Sequence, residues 1–311
     1  DDGIAKPETS AVIESLESVL AAEPDHPLAL HLYIHALEAS NEPTRAEPAA
    51  DRLANLVPGA GHLVHMPSHI YYRIGRYNDA AIANLRAAEV DEAYIAACNA
   101  QGFYPALYYP HNIHFLWSAS TMQGQSDLSI DSARRVVANV RVKQVKAFPT
   151  IEFFRTVPLL SLVRFGKWED ILKEPHPHEG LMFAKAIWHY ARGVAFAAQG
   201  EGASAEAELA ELTPLKDNVS VRFLDSRDYP GSMLVSIAID LLRGEIAHRS
   251  GDHDGAVEHF EQAVALQDQL PYTEPPFWYY PTRQSLGAAL MASGDAQGAE
   301  VVFRVDLEQY P

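Results

Sequence analysis

Residues 241–267, LLRGEIAHRSGDHDGAVEHFEQAVALQ, and residues 284–310, QSLGAALMASGDAQGAEVVFRVDLEQY, line up without a gap. Gly244, Gly251, Ala256 and Phe260 of the first stretch fall on Gly287, Gly294, Ala299 and Phe303 of the second, and Gly193, Gly200, Ala205 and Leu209 repeat the spacing upstream. Small residues at such steps are what two antiparallel helices need where they pack closely, with glycine turning the chain between them. Elsewhere apolar residues recur at helical spacing, as in AVIESLESVLAAEP (11–24) and DAAIANLRAAEV (79–90), while strand signals are scarce. The chain therefore reads as all-α, built from repeated helix pairs.

This pattern resembles the tetratricopeptide repeat, a helix pair of about 34 residues. Carried toward the N-terminus, the register makes Gly166, Gly124 and Gly75 inter-helix turns, with Asn41 standing in for glycine in the first complete unit. Seven units result, and in the fourth Leu159 and Ile171 take the place of small residues. The resemblance implies a right-handed α-solenoid. Residues 1–25 read as the second helix of a preceding repeat, 26–150 as repeats one to three and 151–311 as repeats four to seven, in one continuous solenoid. Solenoids carry polar caps at their ends. The ends here point instead to a segment of a longer protein, or to ends covered by a partner, with stacking into homo-oligomers as a further expectation. Extra residues fall between repeats, at Glu92–Pro110, Leu215–Pro230 and Asp268–Pro281, and two of these insertions are rich in aromatic residues.

Composition limits what such a chain does. With 48% hydrophobic and 21% charged residues it belongs to the folded class. A formal net charge of −17 repels a phosphate backbone, so nucleic acid is not an expected partner. A single cysteine, Cys98, excludes an internal disulfide framework and any cysteine-rich metal site. No apolar run approaches the roughly 20 residues of a membrane span, so no membrane association is expected, and the compartment stays open. Dinucleotide, P-loop, HExxH and GxSxG patterns are missing from the sequence.

The 14 histidines are unevenly placed. His31 and His35 form HxxxH, and one repeat length later His65 and His69 form it again. Aligning Gly124 with Gly75 puts His111 and His114 on His62 and His65. The resemblance implies that the second, fifth and ninth positions of each first helix face the concave groove. Over units one to three those slots read Leu28, His31, His35, then His62, His65, His69, then His111, His114, Ser118; seven of the nine are histidine. Random placement would give about 0.4. The corresponding slots of units four to seven hold none.

Imidazoles three or four residues apart share one helix face, and neighbouring helices about 8–10 Å apart let several converge on one ion. The expected metal set is therefore His31, His35, His62, His65, His69, His111 and His114, with a polar histidine network or a groove for an acidic ligand as the competing readings. Glu38, one turn after His35, is the nearest carboxylate, as ligand or proton acceptor in catalysis. Arg73 and Tyr72 are expected to project into the groove, and Pro67 to bend or loosen the second HxxxH helix. Arg283, after the aromatic stretch PPFWYY (275–280), is a candidate to hold a substrate carboxylate in catalysis, and could equally pair with one of the 41 acidic residues. His189 and Arg192 read as packing, and His176, His178, His248, His253 and His259 as surface residues.

A histidine shell with one nearby acid favours copper or zinc over magnesium, calcium or a carboxylate-bridged iron pair. Copper is preferred on the histidine count: two ions with three imidazoles each would bind dioxygen between them. Zinc with a bound water would need only three histidines. The expected function is a metal-binding repeat protein, a copper oxidoreductase ahead of a zinc hydrolase, acting on a small molecule in the groove. The alternative is a scaffold that binds a peptide or protein. If the insertions GFYPALYYP (102–110) and PPFWYY fold over the groove, Tyr104, Tyr109 and Trp278 should line a pocket that reaches the histidines.

Overall fold

Six glycines carry the chain from one helix into the next. Gly75, Gly124, Gly166, Gly200, Gly251 and Gly294 all have φ between 63° and 92°, a region that costs a Cβ-bearing residue about 1–2 kcal/mol. In this computed structural model, which describes residues 6–100, 102 and 104–310, each of these glycines lies between two helices, as its place in the repeat predicts. Asn41 occupies the corresponding bend between Pro27–Glu38 and Pro43–Ala46. After Gly251 and Gly294 an aspartate starts the next helix: Asp252 accepts from the Gly255 amide at 3.0 Å and Asp295 from that of Gly298 at 2.8 Å. Phe103 of the first aromatic insertion, Pro311 at the end of the last unit and residues 1–5 lie outside the described residues.

The described residues are helical, with no strand among them, and no helix among them is long and apolar enough to cross a membrane. Consecutive helices pack as neighbours, consistent with an α-solenoid: Tyr77–Cys98 against Tyr109–Met122, Met182–Ala198 against Gly202–Leu212, Gly231–Ser250 against His253–Gln267, and Arg283–Ser293 against Ala296–Gln309. Two compact units result. One takes the chain up to Asn139 together with Pro271–Pro276 and Tyr310; the other takes Val140–Leu270 and Phe277–Gln309.

The repeated small residues are points of contact in the second unit. A methyl group at Gly244 would stand 2.5 Å from the Phe260 ring, and one at Gly287 would overlap that of Phe303. Ala205, Ala256 and Ala299, one per repeat, are fully buried. Gly244→Ala is therefore expected to destabilise the protein by about 1–3 kcal/mol through overpacking, read as a lower urea midpoint. An unchanged midpoint would mean that the helix pair does not pack as described.

Most of the first insertion is not loop: the helix Tyr77–Cys98 runs on into it, and Tyr104–Tyr108 is a wide turn that leads directly into Tyr109–Met122. The second insertion begins within the short helix Thr213–Asp217 and contains Val219–Asp225. In the fourth unit the bulky Leu159 and Ile171 are buried between the short helices Val157–Arg164 and Trp168–Lys173.

Candidate metal centre

The site lies in the first unit, and two stripes of one helix explain how it begins. In Pro27–Glu38, Leu30, Ile34 and Leu37 are buried against Met66, Ile70 and Leu53 of the core. His31, His35 and Glu38, each one residue further on, therefore share the adjoining face. The second strip comes from Gly61–His65 and Pro67–Arg73. Met66 between them keeps helical angles, φ −49° and ψ −39°, because Pro67 falls at the first position of the new segment, where its missing N–H removes no required bond. Pro67 thus divides the helix without turning it away, and His62, His65 and His69 stay on one side. The third strip is His111 and Phe115 of Tyr109–Met122.

These strips form two histidine triads. Ligand nitrogens of His65, His69 and His111 all lie within 4.8 Å of one another, and so do those of His31, His35 and His62. Two nitrogens on one first-row ion stand at most about 4.2 Å apart, twice a bond of 2.0–2.1 Å, so modest ring rotations close either triad. In the first, Nε2 of His65 and Nε2 of His69 are 2.9 Å apart. The Phe115 ring packs edge-on against His65, His69 and His111 at centroid distances of 5.1, 4.9 and 5.8 Å, walling the triad with hydrocarbon. In the second, Nε2 of His62 and Nε2 of His31 are 3.3 Å apart.

The outer nitrogens are tied back. His65 Nδ1 donates to Asn84 Oδ1 at 2.6 Å, while the Asn84 amide nitrogen donates to the Ala80 carbonyl, so the proton on Nδ1 leaves Nε2 as a lone pair. His69 Nδ1 faces two carboxylates, Glu38 Oε2 and Glu274 Oε2, each at 2.8 Å. His35 Nδ1 meets the other oxygen of Glu38 at 3.2 Å. Carboxylates and amides behind histidines fix the tautomer and aim the second nitrogen, as the outer partners of metal-bound imidazoles do.

Burial sets the charges. It works against a charge on His69, but Glu38 and Glu274 outweigh it and raise the imidazole to about 10. Burial also works against a charge on Glu38, and the contacts to His69 and His35 outweigh it and hold this carboxyl at about 2. Glu274 is pushed up, first by burial and further by the charge of Glu38. Burial, reinforced by neighbouring imidazoles, lowers His62 to about 4 and His111 to about 3 and holds His65 well below its ordinary value. Without metal, a His69 imidazolium donates to Glu274 Oε2 on one side and to His65 Nε2 on the other, with Glu38 Oε2 beside it as an ion-pair partner.

Six of the seven expected histidines enter the triads. His114 does not: it is buried flat against Trp117, ring centroids 5.0 Å apart. The cause is helical phase. His111, Phe115 and Ser118 form the stripe that faces the second strip, and His114 is turned about 60° from His111 at 100° per residue. Tyr72 and Arg73 are structural. The Tyr72 hydroxyl bonds Ser118 Oγ at 3.0 Å, and Arg73 caps the helix Pro27–Glu38 through the Glu38 and Ser40 carbonyls beneath the Tyr272 ring.

Arg283 is also placed otherwise than expected. In the second unit its guanidinium takes Asp268 bidentately at 2.7 and 2.6 Å and Gln309 at 2.8 Å, so the substrate-binding role gives way to a structural one. Trp278 packs within that unit on Tyr190 and Tyr279, and the insertion instead reaches the histidines through Tyr272 and Glu274. Of the first insertion, Tyr108 lies 5.2 Å from the His62 ring, Tyr104 binds Asp91, and Tyr109 binds Glu92. His189 is held by Glu208 at 2.6 Å beside Arg192, consistent with packing.

Three residues of the site escaped the sequence reading. Asn84 and Asp91 are the polar members of the buried stripe Ala80, Asn84, Ala87, Asp91 of Tyr77–Cys98, a signal that was available. Asp91 accepts from Tyr104 at 2.6 Å and Asn112 at 2.8 Å, and it packs so closely on Gly61 that a methyl there would overlap its carboxylate. It thereby sets the starts of the helices that carry His62 and His111. Glu274 stands 205 positions from His69 and left no local signal.

No family model matches the chain, and no curated protein matches it.

Proposed function

We propose that the protein is a metalloprotein of the tetratricopeptide-repeat type whose resident transition-metal ion sits among His65, His69 and His111, and that this ion serves chemistry on a small molecule in the groove. The observation that carries the reading is the pair of Nε2 atoms of His65 and His69, 2.9 Å apart, with each imidazole's other nitrogen committed to Asn84 or to Glu38 and Glu274. When no metal is bound the same two atoms share a proton in a hydrogen bond, and an ion would take the place of that proton. The repeat assignment is supported by the glycine turns and by the Gly244–Phe260 and Gly287–Phe303 contacts.

An all-imidazole set suits copper or zinc. Copper, and so an oxidoreductase, is the first choice, because six imidazoles in two triads exceed what a single zinc site uses. Three protein ligands leave a position open for substrate or water. Within this reading Glu38, proposed as ligand or proton acceptor, bonds His35 Nδ1 at 3.2 Å and pairs with His69 Nδ1 at 2.8 Å. Glu274 is a positioning residue for His69.

Titration of the metal-free protein with copper and with zinc, followed by calorimetry, tests this reading. At least one ion should bind tightly to the wild type and weakly to His65→Ala; equal binding by both proteins, or by neither, would contradict it. Glu274→Gln, which keeps the shape and removes the charge behind His69, is expected to weaken metal binding by about 10–100-fold. An unaltered affinity in the same titration would separate Glu274 from the site.

A further inference from the structure

We infer that His31, His35 and His62 hold a second ion beside the first, and that the two share a small oxygen-donor ligand, making the centre dinuclear. This rests on the metal reading of the His65, His69 and His111 triad. The triads abut along two pairs of rings: His62 packs on His65 with centroids 6.1 Å apart, and His35 on His69 with centroids 5.5 Å apart. Glu38 spans the same seam, one oxygen on His35 Nδ1 at 3.2 Å and the other on His69 Nδ1 at 2.8 Å. A single carboxylate therefore orients one histidine of each triad with its Nε2 pointing away from the carboxylate. Two ions that share one bridging oxygen stand about 3.5–4 Å apart.

A further observation points to a ligand in the second triad. His62 Nε2 faces His31 Nε2, while His62 Nδ1 is buried with no partner. The two Nε2 atoms, 3.3 Å apart, can both turn lone pairs on one ion between them. The two triads also differ in access. His65 and His69 are buried, whereas the His35 side chain is 39% exposed. The inner ion is enclosed, and the outer one faces solvent, where ligand exchange takes place.

The test is to load metal-free protein with excess Cu(II), remove the unbound metal, and measure copper per chain together with the spin count by electron paramagnetic resonance. Two coppers per chain with a signal well below two spins are expected, since a shared bridge couples them. The double variant His31→Ala, His62→Ala should hold one copper with a full one-spin signal, its helical circular dichroism unchanged. One copper in the wild type, or two with two full spins, would overturn the dinuclear centre while leaving the single-ion reading in place. No copper would overturn both. If the double variant loses its helical signal, Glu38→Gln takes its place and should restore most of the missing spin by loosening His35 and His69 together; no change in spin would count against the coupling.

Discussion

His111→Ala is expected to weaken binding of the inner ion by more than about 100-fold, whereas His114→Ala leaves it within a few-fold of wild type. Removing one of three imidazole ligands takes away a bond to the metal, so the loss should exceed the 10–100-fold typical of residues that only orient a ligand. The two histidines are three residues apart on one helix and belong to one repeat, and both are displaced from the ordinary imidazole range by burial, to about 3. They differ in direction. His111 meets His65 with ring centroids 4.9 Å apart, and His114 lies against Trp117. Competition with a chromophoric chelator gives both affinities in one experiment. Equal losses from the two substitutions would show that the Tyr109–Met122 helix is turned differently from the one described, and a loss at His114 alone would restore the register read from the repeat.

Acidification from pH 7 to pH 5 is expected to destabilise the metal-free protein steeply. His62 is lowered to about 4, and His111 and His114 to about 3, in each case with burial as the first cause. An unfolded chain protonates them near 6.5. Below that value the unfolded state binds more protons than the native one, so stability falls with pH until the native values are reached. At the limit each such histidine withdraws about 1.4 kcal/mol per pH unit. His69 has the opposite sign: raised to about 10, it contributes in full below 6.5 and loses its contribution as the pH climbs through 10. Between pH 5 and 6.5 it therefore offsets nothing. Urea midpoints across this window should fall in the wild type and fall less in His114→Gln. A flat profile from pH 7 to pH 5 would mean that these imidazoles are hydrated in the native protein.

Repetition is what made much of this molecule legible. Gly75, Gly124 and Gly251 announce turns because a helix pair must reverse at a fixed interval, and a residue free to take positive φ recurs there. His31 and His65, like His35 and His69, stand one repeat length apart, and that interval returns a side chain to the same face of the next helix. The readings that failed depend on departures from repetition. His114 sits in the right column by count, but the stripe of its helix that meets the second strip runs through His111, Phe115 and Ser118. Arg283 follows an aromatic stretch, and nothing local says that Asp268 and Gln309 will enclose its guanidinium. Glu274 and Tyr272 come from an insertion whose path no periodicity governs, so their approach to His69 and Arg73 is a tertiary fact. Asn84 is the instructive case: a polar residue in an alanine stripe has to find a partner when buried, and here the partner is a candidate ligand.

A helical scaffold presents imidazoles at fixed steps, and a set of anchors decides where those imidazoles point. Asn84, Glu38 and Glu274 belong to the proposed centre as much as the histidines do, because a lone pair is useful to a metal only when the other nitrogen holds the proton. The hydrocarbon of Phe115 adds a dry wall that strengthens every charge interaction inside.

The most direct test of the metal centre is elemental analysis of untagged protein purified without added metal, on wild type and His65→Ala in parallel. Copper, or zinc in its place, is expected near one or two ions per chain in the wild type, with a clear loss in the variant. Trace metal in the wild type, with no tight uptake when copper or zinc is supplied, would contradict it.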